Sequence, residues 1–277
     1  MVVLRAELDG FRMYFEDVGK GVPVVFIHGM GGDAREWSFV VSELSGELRC
    51  VAVDLRGHGR SDKPDQPYTM SLFAGDVTAL LDRLGLNGAY FCGASMGGYV
   101  ALKIALMHPR RVRGLVLVGS APFVPEQTVR VAGEWAETLL NEGVDAFVEA
   151  QVRDVFHPAF RRRHEDALRV FRESRLAPSS ETPGRVNKGM QIEPVDFRKK
   201  LREIRAPTLI IHGRDDRIVP AEYAEFMHRE IPNSRLAVLP FCGHMPAMER
   251  PRFLADLLLY FVEETEKERL KQQQSQK

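Results

Sequence analysis

The chain has 277 residues, 44% of them hydrophobic, and 38 Lys and Arg balance 38 Asp and Glu. That length suits one large domain or a domain with an insertion, with a core of good size. A formal net charge of zero argues against a polyanion-binding or strongly membrane-attracted surface.

Met1 to Gly10 is broken by charge every few residues, which is not a signal-peptide pattern. No apolar run is long enough to cross a bilayer, so a cytoplasmic location is expected. Val2–Leu8 and Phe11–Val18 read as strands joined by Asp9-Gly10, a hairpin turn signal. Pro23–Ile27 is a continuous apolar run rich in β-branched residues, the pattern of a strand buried on both faces of a parallel sheet. The glycine-rich loop His28–Asp33 follows, then a helix over Ala34–Leu44. Trp37 on that helix reads as core. Cys50–Leu55 is the next buried strand and ends in the polar loop Arg56–Asp62, which reads with Asp54 as structural. A helix spans Ser71–Leu84, with Asp76 and Asp82 on its polar positions.

Ala89–Cys92 is a short apolar strand. It turns through Gly93-Ala94-Ser95-Met96-Gly97-Gly98 into the helical stretch Tyr99–Leu106. This is the G-x-S-x-G pattern in its strand–turn–helix context. A serine on so sharp a turn is strained, and residues two positions away must lack bulk, which accounts for Gly93 and Gly97. The helix N-terminus beneath the serine favours negative charge nearby. Ser95 is therefore the candidate nucleophile. The cysteines Cys50, Cys92 and Cys242 form neither a metal spacing nor a disulfide framework and read as buried hydrophobes in a reducing compartment.

Val112–Gly119 is a further strand, after which the pattern changes. From Ala121 to Pro194 no strand-like run occurs. Amphipathic helices are expected over Thr128–Asn141, Val144–Phe156, His164–Arg175 and Pro183–Met190, forming a helical cap over residues 121–194. The strand–helix pattern resumes at Pro207–Gly213 and continues through a helix near Ala221–Glu230, the strand Arg235–Leu239 and the loop Phe241–Pro246. A last helix runs from near Glu249 to about Glu264. Residues 266–277 read as a frayed helix end or a disordered tail. Residues 1–120 and 195–265 form the α/β core, a mostly parallel sheet with helices on both faces.

An alcohol needs a base to become a nucleophile at neutral pH, and histidine suits the task. His244 follows the last strand, flanked by Gly243 and Pro246, on a loop that can reach over the strand ends toward Ser95. His108 and His228 lie late on helices, and His157 and His164 lie in the insertion. His28, His58 and His212 read as hydrogen-bonded structural histidines. The intermediate of acyl transfer needs donors aimed at its oxyanion. The N–H of Met96, after the nucleophile, is one. The loop after Ile27 supplies the other, from Met30 or Gly31.

In its motifs His28-Gly29-Met30-Gly31, Arg56–Ser61, Gly93–Gly97, Gly213–Pro220 and Gly243–Pro246, in that order, the chain resembles the α/β-hydrolase superfamily. The resemblance covers nearly all of it except the tail. It implies that the acid lies four residues before the proline of Gly213–Pro220, which is Asp216, with neighbouring Asp215 the alternative. Relatives that place the acid after the preceding strand have a carboxylate where this chain has Gly119-Ser120-Ala121. Many relatives have proline where this chain has Gly31. Those that open epoxides or displace halide carry aspartate at the position of Ser95. Serine implies ester, lactone or thioester hydrolysis, or carbon–carbon cleavage of diketone-type substrates. Phe156-His157-Pro158-Ala159-Phe160-Arg161 is similar to a cap segment of 3-oxoadipate enol-lactonases, though Val155 stands where those often have tryptophan.

The resulting expectation is a serine hydrolase for carboxylic esters or lactones of small to medium acyl groups, acting through an acyl-enzyme on Ser95. A slow-turnover ligand receptor of the same fold is the alternative outside enzymes. No cofactor, metal, nucleic acid or membrane partner is expected, and the protein is expected to be a monomer or homodimer. Phe123, Trp135, Phe147 and Met190 are candidate walls of an acyl pocket. The run Arg161-Arg162-Arg163 offers either an anion contact or a solvated helix face.

Overall fold

A computed structural model describes residues 3–176 and 182–275. Among these, eight strands form one sheet in the order β1-β2-β4-β3-β5-β6-β7-β8. The hairpin β1 (Val3–Leu8) and β2 (Phe11–Val18) is antiparallel, and β2 joins β4 antiparallel. From β4 (Leu48–Val53) through β3 (Val22–Ile27), β5 (Ala89–Ala94), β6 (Val112–Val118), β7 (Thr208–Gly213) and β8 (Ser234–Leu239) every pairing is parallel. All the parallel strands therefore end at the same edge, and the loops carrying the sequence motifs meet there.

Successive side chains of a strand face opposite sides of a sheet. Val25 and Ile27 face one core with α2 (Met70–Arg83), α3 (Met96–Met107) and α9 (Glu222–Glu230). Val24 and Phe26 face another with α1 (Ser38–Leu44) and the C-terminal helix. Both cores hold fully buried residues, so the near-continuous apolar strands follow from a sheet covered on both faces. Trp37 is fully buried against Phe26, with ring centroids 5.2 Å apart.

Between β6 and β7 lie α4 (Glu126–Glu142), α5 (Val144–Val155), α6 (Pro158–Arg161), α7 (Glu165–Leu176) and α8 (Thr182–Ile192). The first four share a small core, where Phe156 and Phe171 pack with Ile218, Val219, Met245 and Met248 from the loops after β7 and β8. Helix α8 packs instead through Val186 and Met190 on the core of α2 and α3. Hydrogen bonds join the insertion to the strand-end loops, from Thr182 Oγ1 to the Gly57 carbonyl (2.6 Å) and from Thr128 Oγ1 to the Ile218 carbonyl (2.8 Å). The helices thus sit at the carboxyl edge of the sheet.

The structure departs from the sequence expectations in three places. Residues 34–37 form a 3-10 turn ahead of α1 rather than the start of one helix, because Asp33 caps it through the Arg35 N–H. Asp76 is not on a polar face: it is buried in an ion pair with Arg56 at 2.7 Å. After the short helix α10 (Pro246–Glu249), α11 runs from Pro251 to Ser275, so residues 266–275 continue the helix, against the expectation of a frayed helix end or a disordered tail. No glycine or proline interrupts that stretch, and Glu266 anchors it by bonding Tyr90 Oη at 2.9 Å and pairing with Arg113. Residues 276–277 lie outside the described residues.

Candidate active site

Ser95 closes β5 and opens α3 with φ 50° and ψ −115°, a region that side chains rarely occupy. Such strain costs on the order of 1–3 kcal/mol and persists only where the surroundings enforce it. Here the Ser95 N–H donates to the Val118 carbonyl at 2.9 Å, and its own carbonyl accepts from Gly98 N–H at 2.9 Å and Ser120 Oγ at 3.0 Å. A Cβ at Gly93 would collide with the Gly97 backbone, and one at Gly97 with the Ile27 carbonyl. The glycines thus let the turn settle onto the end of β3.

His244, on the loop after β8, reaches back over the end of β6, the strand next to β5. A methyl group added at Gly119, just past β6, would lie 3.4 Å from His244 Nδ1. That nitrogen bonds Asp216 Oδ2 at 2.7 Å. With the proton on Nδ1, Nε2 keeps a lone pair for accepting another. Asp216 takes three hydrogen bonds. Oδ1 accepts from the Ile218 and Val219 N–H groups at 2.8 and 2.9 Å, and Oδ2 accepts from His244. His212 Nε2 lies 3.2 Å from the same Oδ2. Burial pushes this carboxyl up, but the pull of His244 and of His212 outweighs it and holds it well below the usual range. Asp215 takes no part: its side chain is 44% exposed, 4.0 Å from His157.

His212 apart, the other histidines fall outside this arrangement. His28 donates from Nδ1 to the Gly29 carbonyl (2.7 Å) and accepts the Leu55 N–H at Nε2 (3.0 Å). His58 bonds the Arg56 carbonyl (3.0 Å) and rests against the His28 ring. Burial holds it neutral, its pKa well below the ordinary value. His212 had read as purely structural, yet it reaches Asp216. Burial lowers its pKa, but the contact with Asp216, the charge of Asp216 and the Val219 carbonyl together outweigh it and leave the pKa raised. Its Nε2 also faces the Val219 carbonyl at 2.9 Å.

The loop after β3 passes beside the serine, since a Cβ at Gly29 would lie 3.4 Å from that of Ser95. Gly31 adopts φ 73°, the left-handed region, which accounts for glycine where proline could not stand. Among the described residues no acceptor takes the N–H of Met30, Gly31 or Met96. The loop is held from behind. Asp54 accepts the Ala34 N–H at 2.8 Å, and Glu36 accepts the Gly29 N–H at 3.3 Å. Glu36 also pairs at 2.6 Å with Arg175 of α7, and both side chains are buried. No sequence pattern flagged this pair; its partners lie on segments far apart in the chain.

The candidate pocket residues do not form one wall. Trp135 packs with the insertion's core and donates to Asp154 at 3.0 Å. Phe123 meets Tyr223, which borders the same core, while Arg198 covers its face. Met190 packs instead against the core below α2 and α3, which Met30 also borders. Phe147 is half-buried on α5, and of the arginine run Arg162 and Arg163 are exposed. A recess of about 550 Å3 lies on the Asp216 side, lined by charged groups including Arg130, Glu134, Asp154 and Arg217, and includes neither Ser95 nor Met30. Cys50, Cys92 and Cys242 are buried free thiols, each pushed up by burial. Among the described residues no group of three or more His, Cys, Asp or Glu side chains is placed to hold a metal ion, and no helix is long and apolar enough to cross a membrane.

Residues 22–251 match the family model of the alpha/beta hydrolase fold. The chain is 35% identical over 255 residues to the pimeloyl-[acyl-carrier protein] methyl ester esterase of Nitrosomonas europaea, covering 86% of this chain and 95% of the relative. It is 32% identical over 260 residues to a putative carbamate hydrolase, RutD, of Serratia proteamaculans, covering 92% of this chain and 97% of that one. A thermophilic esterase from Thermogutta terrifontis superposes with a TM-score of 0.85 at 30% identity, over 96% of this chain and 99% of the esterase. The enol-lactonase of Burkholderia xenovorans does so with 0.83 at 26% identity, over 94% and 99%.

Proposed function

Because the chain belongs to the alpha/beta hydrolase family, we propose that it hydrolyses carboxylic esters or lactones of small to medium acyl groups through an acyl-enzyme on Ser95. The observation that carries this reading is the strained serine at the carboxyl edge of the sheet, with a histidine from the loop after β8 at the same edge whose Nδ1 is held by a buried carboxylate. The esterase and enol-lactonase relatives support it.

Ser95 Oγ attacks the acyl carbonyl while His244 Nε2 takes its proton. Asp216 holds the other imidazole proton on Nδ1 and stabilises the imidazolium. The N–H of Met96 and that of Met30 or Gly31 receive the oxyanion. The imidazolium then returns its proton to the departing alcohol oxygen as the C–O bond breaks, leaving the acyl group on Ser95. Water, giving its proton to His244, attacks the acyl-enzyme, and Ser95 leaves with that proton. With a lactone the alcohol stays attached and the product is a hydroxy acid. The helical insertion acts as a cap that limits acyl size.

The test combines p-nitrophenyl esters, lactones and a serine-directed phosphonate. Repeated turnover, stoichiometric labelling of Ser95, and a loss of about a million-fold in Ser95→Ala with the fold retained are expected. A single slow turnover would favour a receptor, activity confined to diketone-type substrates would favour carbon–carbon cleavage, and near wild-type activity in Ser95→Ala would sink the mechanism.

A further inference from the structure

The buried pair Arg175–Glu36 joins the insertion to the loop that supplies the second oxyanion donor. Arg175 Nη1 donates to the Met30 carbonyl at 2.6 Å, and Nη2 donates to Glu36 Oε1 at 2.6 Å. The Arg175 guanidinium also lies 4.5 Å over the Phe171 ring. Only 7% and 1% of the two side chains are exposed. Such a pair is costly to bury unless its geometry is well satisfied. Here the charges cancel each other, so what reaches the loop is direction rather than field.

That direction is specific. In a trans peptide the C=O and the following N–H point opposite ways. Fixing the Met30 carbonyl on Arg175 therefore turns the Gly31 N–H away from the guanidinium. In the same way, fixing the Gly29 carbonyl on His28 turns the Met30 N–H away from that ring. Both N–H groups are without an acceptor among the described residues, as is that of Met96. Gly31, at φ 73°, permits the turn, and Arg175 Nη1 would lie 3.4 Å from a Cβ placed there.

We propose that Arg175 is a positioning residue for hydrolysis: from the insertion, through the Met30 carbonyl, it orients the Met30–Gly31 peptide so that the oxyanion hole exists only while α7 is docked. This rests on the reading of Ser95 as the acylated nucleophile. Arg175 itself touches no reacting atom. Lysine cannot replace it, because one ammonium lacks the fork that spans the Met30 carbonyl and Glu36 together.

The test uses the full chain with Arg175→Met and Glu36→Gln combined, so that no buried charge is left alone, beside Arg175→Lys. Turnover is expressed per phosphonate-titratable serine, which removes any misfolded fraction. The proposal expects kcat per titrated site to fall about a hundredfold with KM nearly unchanged, the size of one lost oxyanion donor. Binding of a trifluoromethyl ketone, which forms an oxyanion on the serine, should weaken by the same factor as kcat/KM. A lower melting temperature with kcat per site unchanged would reduce the pair to scaffolding and overturn the proposal. So would a higher KM at constant kcat, which would make Arg175 a substrate contact. If the unaltered protein neither takes the phosphonate nor turns over any ester, the functional reading falls and this proposal with it. An active wild type matched by its double variant removes Arg175 alone.

Discussion

Asp215 and Asp216 are chemically identical neighbours, and their environments separate them. Asp216 is enclosed, with backbone N–H groups on one oxygen and imidazoles on the other, while Asp215 faces solvent. Asp216→Asn keeps the shape but can present an amide to His244 and favour the wrong tautomer, so kcat should fall by about three to four decades. Asp215→Asn should cost about one decade or less on the same reasoning. Reversed results in parallel kinetics would move the acid to Asp215. His212 adds a further contact to the same carboxylate. His212→Asn should raise the Asp216 pKa, because the pull of one imidazole on the ionised form is lost. The sign follows: a carboxyl whose folded pKa is depressed contributes stability that is present above its unfolded pKa and lost as pH falls through the folded value. The variant should therefore begin its acid unfolding at a higher pH than wild type in a circular-dichroism titration. Coincident curves would mean that His212 leaves Asp216 unaffected.

At the scale of elements, the His244 loop depends on a carboxylate that belongs to no motif. Glu249 of α10 accepts the Gly243 N–H at 2.8 Å and, across to the insertion, the His157 N–H at 3.0 Å, while the His244 N–H donates to the Val155 carbonyl at 2.7 Å. Burial pushes the Glu249 carboxyl up to about 7, against the pull of those N–H groups. The folded protein then holds a proton that the unfolded chain has released. Its contribution is complete below about pH 4.5 and is lost as pH rises through 7, on the order of 3 kcal/mol. Glu249→Gln cannot titrate, so the stability of wild type relative to the variant should decline across that window in urea midpoints. A pH-independent difference would show that Glu249 does not change its ionisation there.

The strands, the serine turn and the order of the loops were legible in the sequence because short-range rules govern them: apolar runs, turn signals and glycines where backbones touch. What escaped were contacts between segments far apart. Neither Arg175, at the end of an expected amphipathic helix, nor Glu36 stands out in the sequence, because nothing in either neighbourhood records the other. Asp76 escaped in the same way, its partner Arg56 lying in a loop. The continuation of α11 was missed because charge and glutamine suggested fraying, while the anchoring groups, Arg113 and Tyr90, come from the strands β6 and β5. Propensity is a weak prior where tertiary contacts decide.

For the molecule as a whole, the question is whether the insertion is a fixed cap or a swinging lid. It is bonded to the strand-end loops at several separate places. Arg175 holds the loop after β3, Thr182 the loop after β4, Gln127 and Thr128 the loop after β7, and Val155 and His157 the loop after β8. Swinging it away would break all of these together and expose the core around Phe156 and Phe171. Under the proposed function, a cap held in this way would leave a finite volume for the acyl chain. Each methylene that fits adds about 0.8 kcal/mol, close to fourfold in kcat/KM, until the space is full, and further carbons then cost binding. Along a series of p-nitrophenyl esters, kcat/KM should climb over a few carbons and fall beyond them. Triglyceride emulsions should be poor substrates, with no jump in rate when the ester exceeds its solubility. Truncating Trp135 or Met190 to alanine should move the maximum to longer chains if that side chain bounds the acyl group, and leave it in place if it does not. Rates that keep rising through long-chain lipids, with activation at an oil–water interface, would show instead that these bonds open and that the insertion moves as a lid.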